Sequence, residues 1–184
     1  EDTYCERVFA PWVDMEQKMR ENNIPLFALE TRDPVAGFDF LGFTLQYEMS
    51  YTNVINMLDL AGIPLMSRER DKSHPFVIAG GPCAYNAEPL ADFLDLVVMG
   101  EGEEVVNQLL DEYREWKKNG ADRQDFLIRA AGIDGVYVPA FYDVDYNEDG
   151  TIGSIKPNRE GVPPVIRKRI VRDLDNVYYP ETMI

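Results

Sequence analysis

Cysteine and histidine are almost missing from this chain: Cys5, Cys83 and His74 are the only ones in 184 residues. A structural zinc site takes about four thiolate or imidazole ligands at short spacing, and a dithiol redox site takes C-x-x-C. Neither pattern occurs. Two thiols cannot build a disulfide framework, nor hold an iron–sulfur cluster, which takes about four thiolates. The two cysteines read as ordinary thiols and His74, beside Pro75 in a polar connector, as solvated surface. No catalytic and no metal-binding residue is assigned.

Positive charge is also scarce. Lys and Arg number 18 against 33 Asp and Glu, for a net charge of −15. Non-specific nucleic-acid binding needs cations to displace phosphate counterions, and anionic membranes select basic surfaces, so neither partner is expected. The one basic cluster, Arg167, Lys168, Arg169 and Arg172, reads as a solvated face. Long apolar runs are lacking too. Leu96–Met99, one of the richest, falls far short of the roughly 20 residues of a membrane span. Glu1–Arg7 carries no basic-then-apolar leader. These absences point to a soluble, cytoplasmic chain.

What remains is the composition of a globular α/β protein, 45% hydrophobic and 28% charged. Tyr4–Phe9 reads as a short strand and Asp14–Asn22 as a helix capped by Asp14, with Val13, Met15 and Met19 on its apolar side. Phe38–Leu45 is apolar on both faces, the pattern of a central parallel strand. Ser50–Ala61 is a helix closed by Gly62 and Pro64. Strands at Phe76–Ala79 and Asp95–Met99 bracket a short helical stretch at Pro89–Phe93. Glycines 100 and 102 open a helix to about Lys118, with Val105, Val106, Leu109, Leu110, Tyr113 and Trp116 as its stripe. Strands alternating with helices argue for a parallel sheet. Beyond Gly120 the character changes: a helix at Asp122–Ala131, a strand at Gly135–Pro139, and extended runs flanking NEDG, a hairpin signal. Val165–Val171 is extended, and 173–184 reads as a linker.

Three segments stand at or just after predicted strand ends, where open parallel sheets bind ligands. In AGGPCAYN, Gly80 and Gly81, followed by Pro82, either expose backbone to a flat ligand or make a tight turn. In GFTLQYE, Thr44 and Gln46 share a strand face, with Thr44 able to hydrogen-bond at the crevice, and Tyr47 follows. In GEGEE, Glu101, Glu103 and Glu104 begin a helix whose positive end suits carboxylates. The spacing fits neither a dinucleotide fingerprint nor a Walker loop.

The runs ERVFAPWVDMEQKM, GFTLQYEMSYTNVINMLDLAGIP and FVIAGGPCAYNAEPLADFLDLVVMGEGEE resemble the N-terminal region of cobalamin-binding-domain radical SAM proteins, often labelled Fe–S oxidoreductases. The resemblance covers most of residues 5–184. It implies a flavodoxin-like (Rossmann-like), mostly parallel sheet with helices on both faces and a small C-terminal β-hairpin extension. It also implies that the usual first strand and helix would precede this chain. A barrel carrying C-x-x-x-C-x-x-C, a [4Fe–4S] cluster and S-adenosylmethionine would follow it. The implied partition is a cobalamin-binding-like domain over 1–120, a helix and hairpin over 121–164, and a strand and linker over 165–184. Thr44 matches the family's hydroxyl position, Gly80 and Gly81 its Gly-Gly pair, and Gly100, Glu101, Gly102 and Glu103 its glycine–glutamate turn. The D-x-H-x-x-G motif whose histidine ligates cobalt is absent, and Gln46 stands where the hydroxyl motif ends in leucine. Any cobalamin would therefore stay base-on.

The expected function is an accessory domain, not catalytic alone, whose partner is the radical SAM domain of the same chain. The alternative is a structural or protein-interaction module that has lost its ligand. Thr44, Tyr47, Gly80, Gly81, Pro82 and the Gly100–Glu103 turn are expected to converge at one sheet edge.

Overall fold

The computed structural model describes residues 3–120 and 122–177; the last part of the expected linker, 178–184, lies outside them. The fold is α/β. A mostly parallel four-stranded sheet runs in the order β1-β2-β3-β4, and β5 and β6 form a separate antiparallel pair. The chain divides into two compact units, Glu1–Asp95 and Leu96–Ile184.

In the first unit, residues 3–12 form no strand, against expectation. They have no regular secondary structure and are tied down by the Leu29 N–H donating to the Arg7 carbonyl at 2.9 Å. Helix α1 (Val13–Glu21) follows. Asp14 does not cap it, because the helix already begins at Val13. Its carboxylate instead accepts from the Met15 N–H at 2.8 Å, inside the first turn. The expected apolar side is also corrected: Met19 is buried, but Val13 and Met15 are exposed. Polar contacts hold the inner side of α1. Arg20 donates to Asp59 at 2.8 Å and Asn56 at 3.0 Å, and Asn56 donates to Glu16 at 2.8 Å.

Strand β1 (Phe40–Thr44) pairs in parallel with β2 (Phe76–Gly80), Phe40 opposite Phe76 and Thr44 opposite Gly80. The continuous apolar run made β1 a central strand. It ends the strand order instead, and only Leu41 is buried along it. Helix α2 (Tyr51–Leu60) buries Val54, Met57, Leu58 and Leu60. Gly62 terminates it in the left-handed region at φ 68°, and Ile63 N–H returns to the Leu58 carbonyl at 3.0 Å.

The polar connector before β2 hides one fully buried ion pair. Arg70 and Asp95 have side chains 0% and 2% exposed and meet at 2.9 Å. Arg70 also donates to the Pro64, Leu65 and Phe93 carbonyls at 2.9, 2.7 and 2.7 Å. Asp95 also accepts from the Val77 N–H at 2.7 Å, so the pair ties the connector to β2. Every one of these groups is satisfied, as burial at low dielectric demands.

In the second unit, the fully buried β3 (Leu96–Val98) pairs antiparallel with β4 (Val136–Tyr137), the antiparallel member of a mostly parallel sheet. Helix α3 (Val105–Asn119) buries Val105, Leu109, Tyr113 and Trp116, at i, i+4, i+8 and i+11, while Val106 stays exposed. Gly120 ends it at φ 61°. Helix α4 (Arg123–Ala131) opens with a reciprocal capping box between Asp122 and Asp125 and packs Phe126 edge-on against Tyr113. Strands β5 (Tyr142–Tyr146) and β6 (Ile152–Pro157) form the expected hairpin. Its turn is longer than a two-residue one. Asn147 N–H bonds the Thr151 carbonyl, Gly150 takes φ 82°, and the register slips at Asp145/Tyr146.

Candidate functional site

The loops after β1 and β2 leave the same end of two parallel strands, and the structure laces them together. Leu45 N–H extends the ladder by bonding the Gly80 carbonyl at 2.7 Å. Gly81, at φ 96°, turns the chain, and Cys83 N–H then returns to the Leu45 carbonyl at 2.9 Å. The Cys83 thiol donates to the Gln46 carbonyl at 3.4 Å. From α2, the buried Tyr51 hydroxyl donates to the Asn86 and Cys83 carbonyls at 2.7 and 3.3 Å. Asn86 donates to Glu48 at 3.2 Å. Thr44, Gly80, Gly81 and Pro82 are thus brought together. Tyr47 stands beside them, its side chain turned to solvent, and Met49 and Tyr85 are likewise exposed.

Gly81 is needed here for a packing reason. A methyl group at its α-carbon would sit 3.0 Å from Thr44 Cγ2 and 3.1 Å from the Leu45 carbonyl oxygen. The space its missing side chain frees is filled by β1 itself. Burial pushes the Cys83 thiol up, and the neighbouring Glu48 carboxylate adds to the shift. Burial likewise raises the Tyr51 hydroxyl, which keeps it a donor. His74 lies just ahead of β2, at the opposite end of that strand from Gly80, and pairs with Asp71 at 2.9 Å.

The glycine–glutamate turn belongs to the second unit and has its own task. The helix begins at Val105, so Glu101, Glu103 and Glu104 form a loop before it rather than its first turn. The Glu101 N–H donates to the Arg169 carbonyl at 3.1 Å, and Arg169 N–H donates to the Met99 carbonyl at 2.8 Å. The Glu101 carboxylate accepts from the Val171 N–H, and the Glu104 carboxylate accepts from the Arg169 guanidinium. Gly100, at φ 101°, lets this happen: a methyl group there would fall 2.2 Å from the Arg169 carbonyl oxygen. Gly102 is different, with only Val106 Cγ2 at 3.9 Å. Glu103 is exposed, and its carbonyl accepts from Asn107 at 3.2 Å. Arg169 is thereby absorbed into the fold, while Arg167, Lys168 and Arg172 stay exposed.

Tyr51 and the Arg70–Asp95 pair were missed by sequence reasoning. Asp95 had a signal: a carboxylate inside the run FLDLVV must meet a buried partner. Tyr51 had none beyond its place at a helix start. Among the described residues no group of three or more His, Cys, Asp or Glu is placed to hold a metal ion, and no helix is long and apolar enough to cross a membrane.

The laced strand ends and the clasped turn define an α/β chain whose conspicuous loop residues are spent on its own backbone. Residues 1–139 match the family of N-terminal regions of radical SAM proteins, and the chain belongs to that family. It is also 34% identical over 87 residues to the uncharacterized protein MJ0966 of Methanocaldococcus jannaschii. That match spans 46% of this chain and 18% of that protein. No solved structure matches the chain significantly.

Proposed function

We propose that the chain is the accessory N-terminal domain of a radical SAM enzyme, acting through contacts with the cluster-bearing domain of the same polypeptide rather than by chemistry of its own. The family implies S-adenosylmethionine and a [4Fe–4S] cluster in the parent protein. Two cysteines here cannot supply the cluster's thiolates. One observation carries the contact reading: two of the glycines that resemble a ligand crevice are closely approached by the chain's own atoms, Gly81 by Thr44 and Leu45, and Gly100 by Arg169.

A second reading keeps cobalamin. It is favoured by the loops at the C-terminal ends of β1 and β2, where a flavodoxin-like sheet binds its ligand, and by the exposed Tyr47 and Tyr85 that rim them. In it, Thr44, Tyr47, Gly80, Gly81 and Pro82, with Gly100, Glu101, Gly102 and Glu103, form the crevice, and the corrin stays base-on. The residues fit the group poorly, because neither Gly81 nor Gly100 offers open backbone and His74 lies at the far end of β2. Incubation with hydroxocobalamin, gel filtration and an absorption spectrum separates the readings. A protein fraction free of corrin absorbance supports the contact reading, and stoichiometric corrin overturns it.

A further inference from the structure

We infer that the segment leading into α1, with the start of that helix, is the surface on which the cluster-bearing domain of the same polypeptide docks. The inference rests on the accessory-domain reading and assigns it a place. Phe9, Trp12, Val13 and Met15 are 66%, 78%, 69% and 46% exposed. Four large apolar side chains within seven residues is not the scatter of single apolar residues found on an ordinary surface.

Nor is this a loose tail. Arg7 is pinned to Glu30 by its backbone N–H at 2.8 Å and its guanidinium at 2.6 Å, and Glu6 accepts from the Thr31 N–H and hydroxyl at 3.0 and 2.9 Å. Helix α1 is held from its inner side by the Glu16–Arg20–Asn56–Asp59 contacts, with Met19 as its buried apolar anchor. Met19 anchors the segment from below, while Phe9, Trp12, Val13 and Met15 stay in water, an exposure that folding alone does not favour. Ordering such a segment makes sense when a second body covers it. The occupant follows from the family and from length: these are N-terminal regions of radical SAM proteins, and the match covers only 18% of the Methanocaldococcus relative. The body that covers the patch is the domain that follows in the polypeptide.

The test uses the whole polypeptide carrying this chain and its cluster-bearing domain, footprinted with hydroxyl radicals and read by mass spectrometry. Trp12 and Met15 should be oxidised at least tenfold more slowly than their exposure here predicts. Trp12 should approach the rate of the buried Trp116, while Tyr146, 67% exposed on the hairpin, keeps its full rate. Full oxidation of Trp12 in a polypeptide that binds its cluster overturns the inference and leaves the accessory-domain reading standing. A polypeptide with no cluster-binding domain overturns both. Protection that vanishes on dilution to monomer assigns the patch to a second copy and overturns the inference alone. A Phe9→Ser, Trp12→Ser variant should make the junction between the domains at least tenfold more sensitive to protease, and unchanged sensitivity counts against docking.

Discussion

Removing Asp95 is the sharpest probe of what holds the first unit together. In Asp95→Ala, the Arg70 guanidinium keeps its three carbonyl acceptors but loses the charge that balances it, and the Val77 N–H loses its acceptor. Both groups lie in the interior, with the Arg70 side chain 0% exposed, so water cannot take over. Breaking such a buried pair from one side costs about 3–5 kcal/mol. In a unit of about this size, each kcal/mol shifts Tm by roughly 4–8 °C, so a fall of about 12 °C or more is expected by thermal circular dichroism. Asp95→Asn keeps an oxygen for Val77 and should lose less. The double variant Arg70→Met, Asp95→Leu removes both charges, yet it leaves the buried Val77 N–H and the part-buried Pro64, Leu65 and Phe93 carbonyls without those partners. At about 1–3 kcal/mol for the unsatisfied Val77 N–H, with the carbonyls adding to it, the double variant should stay below the wild type. A shift under about 4 °C in Asp95→Ala, or a double variant as stable as wild type, would refute the view that this network holds connector and strand together.

Gly100→Ala should release the segment around Arg169, seen as at least tenfold faster amide exchange at Arg169 and Val171, whereas Gly102→Ala, with room for a methyl group, should leave exchange unchanged. Cys83 should react with Ellman's reagent far more slowly than the exposed Cys5 at neutral pH, and should accelerate only above the ordinary thiol range of about 8.5. Glu48→Gln should bring that acceleration to lower pH. Hydrogen bonds from Asn56 and then Arg20 hold the Glu16 carboxyl below its usual range. A depressed carboxyl contributes stability above its unfolded value, near 4.3, and loses it as pH falls through the folded one. Amide exchange in α1 should therefore rise under acid, and Glu16→Gln should flatten that dependence.

Where local pattern and tertiary environment agree, the sequence was readable. Helix α3 announces itself by its apolar stripe and by a glycine at its end; of that stripe it buries Val105, Leu109, Tyr113 and Trp116, while Val106 is exposed and Leu110 half-buried. The hairpin follows from its turn chemistry in the same way. Pattern failed where a neighbour decides. FDFLGFTL looks central because it is apolar, but strand order is a matter of non-local pairing, which no run of eight residues contains. Tyr4–Phe9 has strand composition, yet its backbone is anchored through Glu6 and Arg7 at single points instead of a ladder. Glu104 looked like a helix-dipole carboxylate, and its partner Arg169 lies 65 residues away.

The glycine motifs show the limit most clearly, and they decide how a ligand should be sought. A glycine in the left-handed region states only that something approaches its α-carbon or that the chain must turn there. It does not state whether the approaching body is a corrin or the protein. At Gly81 that body is β1, so Gly81→Ala strains the turn and presses on Thr44 and Leu45 whether or not a ligand binds. Lost corrin binding in that variant would be a folding effect. Tyr47 separates the cases. It follows β1 at the same loop, its side chain is 57% exposed, and its carbonyl, not its ring, accepts from Ser50 at 3.1 Å. Tyr47→Ala should thus change stability by no more than about 0.5 kcal/mol, as surface substitutions do. A corrin at this edge would lose at least about 1.4 kcal/mol of binding, a tenfold change in Kd, on losing that ring. Equal titrations of hydroxocobalamin into wild type and Tyr47→Ala would place any corrin somewhere other than the loops after β1 and β2.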